Sequence, residues 1–295
     1  MAIGTRGRGL ANIDYVSRIQ DLHRCVDAWR RAGESIALLP TMGALHEGHL
    51  SLARIGRAHC RRLIASIFVN PTQFAPSEDF SSYPRTLEND LAKLDAIGCD
   101  LVWAPGADAM YPDRFATSIV PLGAASGLEA DFRPQFFTGV ATVCCKLFLQ
   151  TQPHVALFGE KDYQQLCVVR QMVRDLNLRL EIVAGPTIRE PDGLAMSSRN
   201  AYLSAKERKI AAAIHPTLLR AAAAFRDGLE PKTATEMASR QLVEAGFDEI
   251  DYVAIRDSET LHPVPRGSKT AARVLAAARL GTTRLIDNID STARV

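Results

Sequence analysis

Long apolar runs, paired cysteines and a lopsided charge are all missing from this chain of 295 residues. Without an apolar stretch long enough to span a bilayer, it does not read as an integral membrane protein. Its formal net charge is +2, too balanced to bind nucleic acid through bulk electrostatics. The six cysteines form no Cys-x-x-Cys pair, and six in a chain this long do not make a disulfide framework. Cys144 and Cys145 are adjacent, which is poor geometry for bonding each other. All six read as reduced thiols of a cytoplasmic protein. The opening "MAIGTRGRGLAN" has arginines with no apolar core behind them, so it reads as a loose tail and not a secretory signal. No Gly-x-Ser-x-Gly elbow occurs, which argues against a serine hydrolase. "GRGLAN" lacks the third glycine of a dinucleotide fingerprint, and "RGSKT" at Arg266 to Thr270 lacks the glycine spacing of a phosphate loop.

What is present is ordinary for a protein with a real core: 47% hydrophobic and 23% charged residues, enough for one large domain or two of usual size. Short β-branched runs at Ile36–Leu39, Leu63–Val69, Leu101–Ala104, Val155–Phe158 and Leu180–Val183 predict strands. Helical patterns alternate with them: "SRIQDLHRCVDAWRRAG" ending on Gly33, "LSLARIGRAHC", "TLENDLAKLDAIG" ending on Gly98, "GVATVCCKLFLQ" and "YQQLCVVRQMVRDLN". Such alternation predicts an α/β fold, a mainly parallel sheet with helices on both faces. Beyond Thr187 the character changes. "REPDGLAMSSRNAYLS" is rich in turns. "SAKE" at Ser204–Glu207 predicts a capping box opening one long alanine-rich helix. "TATE" at Thr233–Glu236 opens another, closed by Gly246. Strands follow at Tyr252–Ile255, Arg273–Ala277 and Arg284–Ile286. The division is therefore 1–187 for the larger domain and 188–295 for a smaller α+β domain.

Four stretches carry candidate chemistry. In "LLPTMGALHEGHLSLARIGR" a strand gives way to a helix, and His46 and His49 fall in the helix's first turn. Free N–H groups and the helix dipole favour an anion there, so two imidazoles suggest a phosphate site. Zinc is a weaker reading, because the spacing is not His-Glu-x-x-His and no third ligand stands nearby in sequence. Plain helix capping is the bland alternative. In "FGEKDYQQ", Lys161 could neutralise phosphate and Asp162 could bond a ribose hydroxyl, at the carboxyl end of a strand where ligands bind. Against that, Asp162 and Gln165 could form a capping pair. "MSSRN" at Met196–Asn200 offers hydroxyls and a guanidinium suited to a phosphate clamp. In "FVNPTQF", Asn70 and Gln73 are neutral donors and acceptors at the same sheet edge, or simple Asn-Pro turn chemistry.

Taken together, "PTMGALHEGHLSL", "FVNPTQF", "YPRTLENDL", "LFGEKDYQQL" and "GLAMSSRNAYLS", with "DYVAIRD" and "RLIDNI" later, resemble the pantoate–β-alanine ligase (pantothenate synthetase) family from about Val16 to Ile289. The His-x-Gly-His element alone fits the wider nucleotidyltransferase superfamily, which includes class I aminoacyl-tRNA synthetases. The resemblance implies a Rossmann-like domain with a C-terminal lid, a homodimer, and ATP-dependent condensation of (R)-pantoate with β-alanine through a pantoyl adenylate, with Mg²⁺. By motif, Met42, Gly43, Ala44, Leu45, His46, Glu47, Gly48 and His49 would line the ATP site, with His49 as proton donor. Gly159, Glu160, Lys161, Asp162, Ile188, Met196, Ser197, Ser198 and Arg199 would complete it. His46, His49, Lys161 and Arg199 would be catalytic. Gln73 and Gln165 would hold pantoate, and Gln73 also β-alanine. The metal ligands are not identified. In "RPQFFTGV", Gln135, Phe136 and Thr138 stand where many members have a Gly-His and a second basic residue, which weakens Arg133 as a substrate or phosphate contact. Two other readings compete: a nucleotidyltransferase that stops at adenylate transfer, and a non-catalytic nucleotide-binding module.

Overall fold

The computed structural model describes residues 13–75, 80–268 and 270–293. The predicted N-terminal tail and Lys269 of the "RGSKT" stretch lie outside the described residues. In chain order the elements are β1 (Tyr15–Val16), α1 (Ile19–Arg31), β2 (Ile36–Thr41), α2 (Glu47–His59), β3 (Arg62–Ile67), α3 (Leu87–Ala96), β4 (Leu101–Trp103), α4 (Ala107–Met110), α5 (Glu129–Phe132) and α6 (Phe136–Thr151). They continue with β5 (Val155–Gly159), α7 (Tyr163–Asp175), β6 (Glu181–Gly185), α8 (Ala205–Ala211), α9 (Ile214–Arg226), α10 (Pro231–Ala245), β7 (Glu249–Asp257), β8 (Ala272–Leu280) and β9 (Thr283–Asp290). Two compact units emerge. The first takes the described residues up to Pro121, then Gln135–Gly159 and Val168–Gly185. The second takes Leu122–Pro134, Glu160–Cys167 and the described residues from Pro186 onward.

The first unit holds a six-stranded sheet in the order β1-β4-β3-β2-β5-β6, every pairing parallel. The chain builds outward from β2 to β4, then returns to β2's other side for β5 and β6. The strand order thus reverses between β2 and β5, the place where open α/β sheets bind ligands at their carboxyl ends. Both faces of β2 are covered, since Ile36, Ala37, Leu38 and Leu39 are all fully buried. On one face Ala37 and Leu39 pack with Leu63, Leu157 and the α2 residues Leu52 and Ala53.

The second unit packs α8, α9 and α10 on an antiparallel sheet β7-β8-β9. Strand alternation divides β8. Ala272, Val274, Ala276, Ala278 and Leu280 join Leu218, Ala222, Ala238 and Leu242 in one apolar core. Arg273 falls on the opposite face.

Several sequence expectations need correction. The alanine-rich helix after "SAKE" is two helices broken at Ala212–Ala213. Pro216 explains the break: it lacks an N–H and its ring clashes with the carbonyl four residues back, so it is tolerated only in a first turn. The capping box itself is present, with the Ser204 amide donating to Glu207 Oε2 (2.8 Å) and the Glu207 amide to Ser204 Oγ (3.3 Å). The next helix starts at Pro231, placing Thr233 inside it, because proline is preorganised for the first helical position. The two-residue strand β1 was too short for its pattern to register.

Candidate active site

The turn from β2 to α2 is held by its own backbone and one buried carboxylate. Gly43 and Ala44 are both left-handed, with φ of +84° and +50°. Their reversal aims the Ala44 and Leu45 amides at Asp90, whose Oδ2 and Oδ1 accept them at 2.9 and 2.8 Å. Thr86 Oγ1 also donates to Asp90 (3.1 Å), and Lys93 Nζ donates to the Leu45 carbonyl (2.5 Å). Asp90 is completely buried. Asp90 and Lys93, both on α3, were not singled out in the sequence. A signal existed: Asp90 lies on the same helical face as Leu87, Leu91 and Leu94, where a charge needs a specific partner.

His46 is the N-cap residue of α2, extended at φ −131° and ψ 176°. The two histidines cap reciprocally. The Gly48 amide donates to His46 Nδ1 (3.2 Å) and the His46 amide to His49 Nδ1 (3.3 Å). Their ring centroids are 4.1 Å apart. With each Nδ1 accepting, the ring proton of each neutral imidazole belongs on Nε2. The glycine between them is required by space, because a Cβ on Gly48 would lie 2.9 Å from His46 Cε1. Capping, the bland reading, is therefore real, and it sets the tautomers. Met42 is half-buried in this turn and Leu45 is buried, whereas Glu47 is exposed and pairs with Arg54.

Beyond β3, Pro71–Gln73 forms a 3-10 turn with Asn70 as its cap. Asn70 is buried and spends its side chain on structure. Its Oδ1 accepts from the Thr72 amide (3.3 Å) and from Tyr111 OH (2.8 Å). Its Nδ2 donates to Gln73 Oε1 (2.9 Å) and the Gly139 carbonyl (3.2 Å). Turn chemistry thus accounts for Asn70, and it commits Gln73 Oε1 to an acceptor role. Gly139 lets α6 approach this turn, since a Cβ there would sit 2.4 Å from the Thr72 carbonyl oxygen. Two of the residues that depart from the family pattern, Gln135 and Thr138, line an open cavity of about 630 Å³ with Thr72, Tyr111 and Phe115.

Gly159 ends β5. In the second unit, Glu160, Lys161 and Asp162 form a 3-10 turn that runs directly into α7. Lys161 Nζ lies 3.6 Å from Asp162 Oδ1. The adjacent glutamines of α7 differ. Gln164 is buried, accepts from the Glu129 amide (3.0 Å) and donates to the carbonyls of Ala124 (3.0 Å) and Gly127 (3.1 Å). Gln165 is half-buried, and its side chain makes no hydrogen bond among the described residues. Ile188 and Met196 are brought together by a backbone bond, the Met196 amide to the Ile188 carbonyl (2.9 Å). Ser197 caps the turn Ser198–Tyr202 by accepting from the Arg199 amide (3.3 Å), and all four residues of Met196–Arg199 are half-buried.

Arg133 is tied to structure by Glu129, 3.8 Å away. Burial works to raise the Glu129 carboxyl, but the two-pronged Arg284 contact (2.7 and 2.8 Å) and the Tyr252 hydroxyl (2.8 Å) hold it below the ordinary range. The cysteines are free thiols. Burial pushes Cys99 and Cys144 up to about 12, so neither is a nucleophile at neutral pH.

The model of the family described as pantoate-beta-alanine ligase matches residues 14–290. A pantothenate synthetase of Mesorhizobium japonicum is 56% identical over 277 residues, covering 94% of this chain and 97% of that protein. One from Caulobacter vibrioides is 52% identical over 277 residues, covering 93% of this chain and 97% of the other. The crystal structure of pantothenate synthetase from Thermus thermophilus superimposes with a TM-score of 0.88 at 44% identity, covering 95% of this chain and 99% of that one. The pantoate-beta-alanine ligase of Francisella tularensis, solved in complex with beta-gamma ATP and beta-alanine, gives 0.81 at 32% identity over 95% of this chain and 98% of the other. This chain belongs to the pantoate–β-alanine ligase family.

Proposed function

We propose that the chain joins (R)-pantoate to β-alanine with consumption of ATP, through a pantoyl-adenylate intermediate, releasing AMP and pyrophosphate. The observation that carries this reading is the reciprocal capping of His46 and His49 at the start of α2. A helix start is a natural anion site, and the capping makes each Nε2 an N–H donor of the kind a triphosphate needs. Met42–His49, Gly159–Asp162, Ile188 and Met196–Arg199 serve ATP. Gln73 and Gln165 hold pantoate, and Gln73 also meets β-alanine. Gln73 Oε1 already accepts from Asn70, which turns the amide's N–H donors toward an oxygen-rich substrate.

In the first step a pantoate carboxylate oxygen bonds to the α-phosphorus of ATP and the bond to the bridging oxygen breaks, so pyrophosphate leaves. Positioning contributes heavily here, and Lys161, Arg199 and the two imidazoles stabilise charge on the leaving group. Mg²⁺ belongs to the substrate, carried on the nucleotide phosphates, which is its usual mode in such sites. Among the described residues no group of three or more His, Cys, Asp or Glu is placed to hold a resident ion. In the second step the β-alanine amine bonds to the acyl carbon, AMP leaves and the nitrogen gives up a proton. The same reading carries a homodimer, a cytoplasmic location and a lid role for residues 188–295. No helix among the described residues is long and apolar enough to cross a membrane.

The test is AMP release from ATP in the presence of pantoate, with and without β-alanine. Release at multiple turnover that needs both acids supports the ligase. Release with pantoate alone points to a transferase that stops at the adenylate, and no release to a binding module.

A further inference from the structure

We infer that Asn288 is a positioning residue, which holds the Lys161 turn in the place that adenylation requires. The inference rests on the ligase reading and adds a residue to it. Asn288 lies on β9, is 3% exposed and is not itself among the residues assigned to substrate. Its Nδ2 donates to two consecutive main-chain oxygens, the Glu160 carbonyl at 2.9 Å and the Lys161 carbonyl at 2.8 Å. Both N–H bonds of the amide are thereby used on one turn.

The amide's orientation is fixed from its other side. Arg273 Nε donates to Asn288 Oδ1 at 2.7 Å, so a flipped amide would set N–H against N–H. Arg273 is buried, lies over the Tyr163 ring at 4.1 Å, and donates to Glu160 Oε2 at 2.9 Å. The turn is therefore held at three points, two main-chain oxygens and one carboxylate, by neighbouring strands of one sheet. At its side-chain end Lys161 Nζ approaches Asp162 Oδ1 at 3.6 Å. The ammonium's location follows from where the main chain is pinned.

Strand geometry explains why the adjacent residue has a different duty. Successive side chains face opposite sides of a strand. Asp287, on the face of Leu285 and Ile289, takes Arg189 in a two-pronged pair at 2.7 and 3.0 Å. Arg189 follows Ile188 and is bridged to Ala195, so Asp287 fixes the stem from which Met196–Arg199 extends. The dipeptide Asp287-Asn288 thus anchors two separate loops of the candidate site from the two faces of β9.

The test uses Asn288→Asp, which keeps the size and the acceptor for Arg273 but removes both donors. Two rates are read in the full-length enzyme: pantoate-dependent exchange of labelled pyrophosphate into ATP, and pantothenate formation from supplied pantoyl adenylate and β-alanine. Lys161 serves the first and not the second. Displacing a catalytic group by about 1 Å costs roughly 10²-fold, so exchange should fall by about that factor while the second rate is unchanged. Arg273→Lys keeps a charge facing Glu160 but loses the Nε–H that orients the amide. It should show a smaller loss confined to the same half-reaction, and it keeps the inference testable if Asn288→Asp does not fold. Equal losses in both half-reactions, accompanied by a lower thermal midpoint, would make Asn288 a purely structural residue and overturn the inference. So would wild-type exchange in a folded variant. A wild-type protein without pantoate-dependent exchange would overturn the ligase reading itself, and that control needs no variant.

Discussion

In the first unit the groups assigned to phosphate hang on backbone geometry: a left-handed pair at Gly43 and Ala44, a helix start, and two imidazoles capping each other three residues apart. In the second unit the corresponding groups hang on side chains from remote strands. Asn288 and Asp287 reach loops 127 and 98 positions away in sequence, at Lys161 and Arg189. Local geometry is rigid because each bond closes a short ring. A remote network is rigid only if every member is satisfied, since a buried polar group left without a partner is costly. The first arrangement should therefore tolerate loss of one side chain better than the second, except where a side chain substitutes for backbone.

The largest effect should come from Lys161→Ala in the second unit. Removing a charge-assisted donor to the leaving group should cost on the order of 3 kcal/mol of transition-state stabilisation. Thermal unfolding should barely move, because the ammonium's ion pair with Asp162 is long at 3.6 Å. Pantoate-dependent pyrophosphate exchange measures the first expectation and calorimetry the second. Near wild-type exchange would reduce the second unit to scaffold and remove the comparison.

Asp90→Ala probes the exception in the first unit. It leaves the part-buried Ala44 amide and the buried Leu45 amide without their acceptor. The expected destabilisation is about 2–3 kcal/mol, read as a lower urea midpoint with a raised KM for ATP. A variant with the wild-type midpoint would show that the β2–α2 turn is held by its backbone alone.

Gly139→Ala sets two effects against each other. Alanine should favour α6 by about 1 kcal/mol over glycine. Its methyl, however, would lie 2.4 Å from a main-chain oxygen of the turn that carries Gln73, and main chain does not swing aside as a long side chain can. Overpacking of that kind costs roughly 1–3 kcal/mol, so a net loss on the order of 1 kcal/mol is expected. The turn should shift and raise the KM for pantoate while leaving that for ATP unchanged. Equal rises in both would show that Gln73's turn is not the part displaced.

How much could be read from the sequence follows the same division. The β2–α2 stretch was legible because strand, turn, glycine and both histidines are contiguous, and strand-helix alternation gave the mainly parallel sheet and five of its six strands, all but the two-residue β1. Asp90 was passed over because "TLENDL" already satisfied a helix start, although a carboxylate among Leu87, Leu91 and Leu94 was a usable anomaly. Nothing local separates Gln164 from Gln165, and only the neighbours supplied by Ala124, Gly127 and Glu129 do so. "RLIDN" read as a strand, but its reach to Glu160, Lys161 and Arg189 is a property of tertiary pairing that periodicity cannot express. Pro216 did announce the break before α9, and the alanine-rich pattern obscured it.

The smallest effect should be a pH dependence confined to the second unit's network. His215, at the start of α9, sits where a Cβ on Gly193 would come within 3.0 Å of its Nδ1. Burial pushes its pKa below the ordinary value, nearby Arg189 pushes it further down, and Asp287 opposes them. The sign follows from proton counting. An unfolded histidine titrates near about 6.5, so between that pH and the lower folded value the unfolded chain binds more protons. Stability should be intact above the unfolded value and decline as pH falls through the window to the folded one. His215→Gln removes this contribution and leaves every other titrating group in place. Urea midpoints of wild type and variant, compared from neutral pH downward, should diverge in the mildly acidic range, with the wild type losing more. Parallel curves would mean that His215 charges equally well folded and unfolded. The field of Asp287 would then outweigh that of Arg189 and cancel the effect of burial at the start of α9.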